Sequence, residues 1–237
     1  MNVLITGASQ GIGYELALQA VGRGHDVMAV SRNAEHLEEL AAKCLSAHPA
    51  GGKIVVHPFD LTKLGDVPGR LMEAVTNEFG QLDMLVNNAG TLVKKGFEEI
   101  SDEELLQCLN VNFMAPFRLT ACCMPLLRKA ERPHVINIGS MAGFQGSTKF
   151  PGLSAYSASK AALSCLTESL AREFKDGTVR FNCLSLGSVE TRMLDKAFPG
   201  LKAPVTAVEM AAFILDFAVT GYDYFNGRVL PVARLTP

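Results

Sequence analysis

Apolar residues in this chain fall into short runs, and the stretches between them mostly carry helical periodicity. The strand-like runs lie at 3–6, 26–30, 54–59, 84–87, 134–138, 179–186 and 228–232. Short apolar runs of this length suit strands buried on both faces. Most intervals place apolar residues three and four apart, as in helices with one buried face. The two longest such stretches predict helices over 102–127 and 155–174. Alternating strands and helices imply right-handed crossovers, and so an α/β fold: a three-layer, doubly wound parallel sheet of about seven strands with helices on both faces. Ligands of such a sheet bind at the carboxyl ends of its strands.

Those strand ends carry the candidate chemistry. The first run enters Thr6-Gly7-Ala8-Ser9-Gln10-Gly11-Ile12-Gly13 and then a helical stretch at 14–21. Glycines let the backbone approach a ligand, and free amides at a helix start attract phosphate. A dinucleotide pyrophosphate fits there, although the spacing is G-x-x-x-G-x-G and not G-x-G-x-x-G. Asn87-Asn88-Ala89-Gly90 ends the fourth run, Ser140 the fifth, and Gly187 the sixth. Tyr156 and Lys160 are four residues apart, on one face of a predicted helix. A free phenol has a pKa near ~10, and an adjacent cation lowers it, which suits proton transfer.

In this order the motifs resemble those of the compact, single-domain branch of the short-chain dehydrogenase/reductases, nearly end to end. The match includes Phe59-Asp60-Leu61-Thr62, Val111-Asn112-Phe113, Asn137-Ile138-Gly139-Ser140 and Gly187-Ser188-Val189-Glu190-Thr191. The resemblance implies one Rossmann-like, NADP(H)-binding oxidoreductase domain over 1–237. It implies a catalytic set of Asn112, Ser140, Tyr156 and Lys160. Tyr156 would donate the proton, and Ser140 would bond the substrate carbonyl oxygen. Lys160 would also hold the nicotinamide ribose, and Asn112, chosen over Asn110 by the Val-Asn-Phe match, would hold a water linking the lysine to solvent. Cofactor contacts are expected from Gly7, Ser9, Gln10, Gly11, Ile12 and Gly13, from Ser31 and Arg32 at the adenosine ribose, and from Asp60 and Leu61 at the adenine. Asn88, Ala89 and Gly90 would form the floor, while Tyr156, Lys160, Gly187, Val189 and Thr191 would face the nicotinamide half.

Val30-Ser31-Arg32-Asn33 places an arginine, and no acid, where a ribose 2′ position is read. Arginine suits a 2′-phosphate, so NADP(H) is favoured over NAD(H). The chain departs from the family at Gln10, where some members carry a second basic residue, and at Leu186, where proline is usual. It carries a short insertion at 145–152, and the segment 191–206 is short for a substrate lid. Together these predict an open cleft with broad, weak recognition of hydrophobic carbonyl compounds.

Composition adds exclusions. Net charge is −2 with both signs scattered, so no basic footprint for nucleic acid exists. No apolar stretch can span a bilayer, and no basic and apolar leader precedes the first strand, so a cytoplasmic, membrane-free protein is expected. The six cysteines and five histidines show no metal-ligand spacing, so no metal is expected and the thiols read as reduced. The partners implied are a small carbonyl or alcohol substrate and a second copy, as homodimer or homotetramer, packed through the helices at 102–127 and 155–174. The leading reading is NADPH-dependent reduction of a carbonyl to an alcohol, or the reverse oxidation. The alternative is an NADP(H)-binding redox sensor without turnover, which loss of Tyr156 or Lys160 would have supported.

Overall fold

The structure, a computed structural model, describes residues 1–234; 235–237 of the expected domain lie outside the described residues. The seven anticipated runs form β1 (Asn2–Thr6), β2 (Asp26–Ser31), β3 (Ile54–Pro58), β4 (Met84–Asn87), β5 (His134–Ser140), β6 (Arg180–Leu186) and, after a short pair described below, β9 (Arg228–Val232). They make one parallel sheet in the order β3-β2-β1-β4-β5-β6-β9. The strand order reverses between β1 and β4, and a crevice opens at such a switch point.

Each strand feeds two cores because successive side chains point to opposite faces. Val3 and Ile5 of β1 join Val27, Val86 and Leu184 under α1 (Gly11–Gly22), α2 (Ala34–Ala47) and α8 (Ala207–Thr220). Leu4 joins Met28, Leu85, Val135 and Phe181 on the other face, under α3 (Met72–Glu78), α5 (Ala115–Leu127) and α6 (Ser154–Glu173). This is a Rossmann-like α/β domain. A buried polar chain ties β4 to β5 and α6: Asn87 donates to Asn137 Oδ1 at 2.8 Å, and Asn137 to Thr167 Oγ1 at 2.9 Å.

The predicted helix over 102–127 is helical throughout, but not as one regular α-helix. α4 (Asp102–Leu109) passes into a π-helical turn, Asn110–Met114, before α5. Two residues explain the change of pitch. Pro116 has no N–H to return to the carbonyl of Asn112. The Asn112 amide clasps the backbone of Thr91 from both sides, accepting from its N–H at 2.8 Å and donating to its carbonyl at 2.9 Å. Cys44, Cys108, Cys123 and Cys183 are buried, and none of the described cysteines is paired. Among the described residues no group of His, Cys, Asp or Glu is arranged to hold a metal, and no helix is long and apolar enough to cross a membrane.

Candidate active site

The carboxyl ends of the strands border a cleft of about 770 Å³. At its floor the glycine turn is set by close approach. Gly7 has φ +70°, and a Cβ there would meet Ala89 Cα at 2.8 Å. A Cβ on Gly13 would meet the Gly7 carbonyl oxygen at 2.4 Å, so only glycine lets α1 start against the end of β1. Asn88 locks this corner, donating to Thr6 O at 2.9 Å and Gly7 O at 3.2 Å. Its amide is therefore spent on backbone. α1 begins after Gln10, whose side chain makes no cap, whereas Asn33 caps α2 and Ser101 caps α4. The uncapped first amides of α1, beside a backbone cradle that a Cβ would fill, fit a pyrophosphate.

Of the anticipated site residues, Gly7, Ser9, Gln10, Gly11, Ile12, Ser31, Arg32, Asp60, Leu61, Asn88, Ala89, Gly90, Ser140, Tyr156, Lys160, Gly187, Val189 and Thr191 all line the cleft. Gly13 and Asn112 do not; both stand behind its wall. Ser31 and Ser9 share a hydrogen bond of 2.7 Å, joining the end of β2 to the glycine turn. Leu186 stays in the ladder, paired with Ser140 on one side and Val232 on the other, where a proline would have removed a donor. Thr191 caps α7 (Arg192–Ala197), accepting from Leu194 N at 3.3 Å.

Tyr156 and Lys160 share the buried face of α6. Burial is the largest influence on the phenol and raises its pKa, against the lowering hydrogen bond from Ser140. The lowering by Lys160 expected from sequence is not what this geometry gives. The Lys160 ammonium instead donates to Ile138 O at 2.8 Å, and burial pushes it down to about 8. Asn112 lies close behind. A Cβ on Gly90 would come 3.4 Å from Asn112 Oδ1 and 3.6 Å from Lys160 Nζ, so Gly90 is the narrow point between them. Asn112 also donates to Ser159 Oγ at 2.9 Å, and Ser159 to Tyr156 O at 2.7 Å, which braces α6 against the π-turn.

The mouth differs from the open cleft expected of a short lid. The segment 191–206 holds α7, and its ends are drawn together by a parallel pair, β7 (Val189–Glu190) with β8 (Val205–Thr206). The lid meets the insertion on the opposite wall, with the Phe150 and Phe198 rings in edge contact at 6.5 Å. Lys94 fastens it, donating to Ala197 O at 2.8 Å with its ammonium 3.9 Å from the Phe198 ring centre. Neither Lys94 nor Phe198 was marked by the sequence: Phe198 precedes Pro199-Gly200, which reads as a loop, and nothing local to Lys94 points across the cleft.

The molecule's likenesses accord with this geometry. A family model described as short chain dehydrogenase matches residues 1–202. An uncharacterized oxidoreductase of Mycobacterium tuberculosis is 31% identical over 219 residues, 92% of this chain and 63% of the relative, so the chain spans less than two thirds of that protein. The 3-oxoacyl-(acyl-carrier-protein) reductase FabG of Thermotoga maritima is 30% identical over 97% of this chain and 94% of its own. A short chain dehydrogenase from Escherichia coli CFT073, solved in complex with NADPH, has a TM-score of 0.87 at 27% identity over 97% of this chain and 95% of that one. With the glycine turn at the end of β1, the serine at the end of β5 and the tyrosine and lysine of α6 converging on one cleft, this chain belongs to the short-chain dehydrogenase family.

Proposed function

We propose that this protein interconverts a carbonyl and an alcohol on a small organic substrate, with NADP(H) as cofactor. The observation that carries the reading is the convergence of Ser140, Tyr156 and Lys160 on the cleft whose floor is the glycine turn. NADP(H), when bound, supplies or accepts the hydride. The amides that open α1 would hold the pyrophosphate, and Ser31 and Arg32 the adenosine ribose with its 2′-phosphate. The solved relative in complex with NADPH supports that choice.

Tyr156, held protonated by its burial, delivers a proton to the substrate oxygen as charge grows there. Ser140 hydrogen-bonds the same oxygen, a kind of preorganised contact often worth about 3–4 kcal/mol. Lys160 would hold the nicotinamide ribose, and its ammonium would return a proton to the Tyr156 phenolate and regain one from the Asn112 side. Oxidation of NADPH with a panel of ketones, aldehydes and quinones tests the reading; binding of NADPH without turnover of any would favour the sensor.

Cofactor choice is assigned to the Arg32 charge. Replacing Ser31 with Asp and Arg32 with Ala should move the kcat/KM ratio toward NADH by at least about tenfold, because a charge-assisted contact is worth ~1.5–3 kcal/mol. An unchanged ratio removes Arg32 from that role.

The apolar mouth is assigned to substrate binding. Phe150→Ala removes both a lining surface and the partner of Phe198, and should raise KM for hydrophobic carbonyls more than it lowers kcat, the pattern of lost uniform binding. A fall in kcat at constant KM would count against it. The chain should also self-associate. α4, the π-turn and α5 expose Leu105, Leu106, Met114 and Phe117 together, an unusual apolar run for a free surface. Light scattering at micromolar concentration should report at least a dimer, and a monomer would contradict the packing.

A further inference from the structure

Beside the main cleft lies a second, smaller cavity of about 330 Å³, lined by Arg32, Pro58, Phe59, Asp60, Lys63 and Arg70. Arg32, Phe59 and Asp60 line both spaces, so the small cavity continues the cleft past the ends of β2 and β3. We infer that Lys63 and Arg70 complete, with Arg32, the cradle for the 2′-phosphate of the cofactor, replacing the basic residue that the glycine turn lacks at Gln10. The inference rests on the NADP(H) reading above and adds two residues that no motif in the sequence marks.

Arg32, Lys63 and Arg70 line this cavity together with one carboxylate, Asp60, and that carboxylate is already engaged. Asp60 Oδ1 accepts from Thr62 N at 3.0 Å and from Thr62 Oγ1 at 2.9 Å. Burial tends to raise its pKa, yet the two Thr62 bonds and the charges of Arg32 and Lys63 outweigh that and hold it below the ordinary range. Among the described residues neither Arg32 nor Lys63 enters an ion pair. Arg70 has only Asp66, 3.9 Å away with both side chains largely exposed, a pair too weak to hold it from a dianion. The cations are thus free for a ligand that brings negative charge.

Backbone geometry places Arg70. It lies in a π-helical turn, Val67–Leu71, that opens the descent into α3. Such turns are rare and frequent at functional sites; the other π-turn among the described residues carries Asn112. The charge of Arg70 reaches the end of β3, where it adds to burial in lowering the pKa of His57, whose ring stacks on Phe59 at 6.2 Å. A phosphate on the adenosine ribose is the anion suited to this place, because the ribose 2′ position of a dinucleotide is read after the second strand.

The test uses binding, with adenosine 2′,5′-bisphosphate and 5′-AMP as calorimetric probes against the wild type, Arg32→Ala, Lys63→Ala and Arg70→Ala. Lys63 and Arg70 are exposed, and 5′-AMP affinity serves as the control that each variant keeps its adenosine site. The expected result is that Lys63→Ala and Arg70→Ala each weaken the bisphosphate by about three- to tenfold and leave 5′-AMP unchanged, with the loss shrinking as salt rises. If the wild type prefers the bisphosphate and only Arg32→Ala loses that preference, the inference is overturned while the NADP(H) reading stands. If the wild type binds both probes equally, the NADP(H) reading falls, and the inference with it.

Discussion

Replacing Tyr156 with Phe is expected to lower kcat for carbonyl reduction by about 10²–10⁴, the range over which a general acid contributes. NADPH affinity should stay nearly intact. The substitution deletes one hydroxyl and keeps the ring, which is buried with Ala142, Leu153 and Ala155, so the fold has little to lose. Burial raises the phenol's pKa, so the wild-type group stays protonated through neutral pH, as a proton donor requires. Lys160→Met should behave differently. It removes a buried ammonium bonded to Ile138 O and a contact assigned to the ribose, so both turnover and cofactor affinity should suffer. Stopped-flow kinetics and NADPH fluorescence titration read the two effects separately. A Tyr156→Phe variant that kept a tenth of wild-type kcat would show that the proton comes from elsewhere.

Folding stability should fall by about 3 kcal/mol between pH 6.5 and pH 4 on account of His134 alone. This ring is buried at the start of β5 and depressed to about 4, first by desolvation and also by the Arg180 charge, against a raising bond to Ala218. Its bonding fixes a neutral tautomer. Nδ1 lies 2.9 Å from Ala218 O and must donate, while Nε2 lies 2.8 Å from Asn182 Nδ2 and must accept. The Asn182 amide cannot turn over, because its Oδ1 takes the Arg228 N–H at 3.0 Å and its Nδ2 also serves Phe225 O. A proton on Nε2 would therefore face another donor. Above pH 6.5 neither state carries the extra proton. Between 6.5 and about 4 the unfolded chain binds it and the folded one does not, so stability drops as pH falls, and below that window the loss is complete. The thermal midpoint should move by roughly 6–12 °C over this range, at ~2–4 °C per kcal/mol for a chain of this size. His25 and His57 are shifted the same way but are less buried, so the His134→Gln variant is the control: its acid slope should flatten. Direct NMR titration of the His134 ring with a midpoint near 6.5 would refute the assignment.

What the sequence by itself determined was whatever short-range pattern dictates. Short apolar runs separated by stretches of period 3.6 suffice to place the seven strands to within two residues at their ends, and the parallel, two-cored sheet follows because such strands must be covered on both faces. Gly7 and Gly13 were legible for the same kind of reason: a backbone that must approach another backbone leaves room for nothing larger. Tyr156 and Lys160 were legible because a helix fixes what four residues of separation mean.

Tertiary structure decided the rest. The π-turn at Asn110–Met114 depends on Asn112 reaching Thr91, a partner that local propensity cannot see. Burial, not the neighbouring ammonium, sets the direction of the Tyr156 shift, since desolvation is a property of the whole surrounding core. The lid is fastened by Lys94, Phe150 and Phe198, which are far apart in the chain and meet only when the ends of β4, β5 and β6 are brought side by side. Likewise Lys63 and Arg70 join Arg32 at one cavity only because β3 lies next to β2. Long-range contacts of this kind are selected by the packing of complete layers, and no window of sequence contains them.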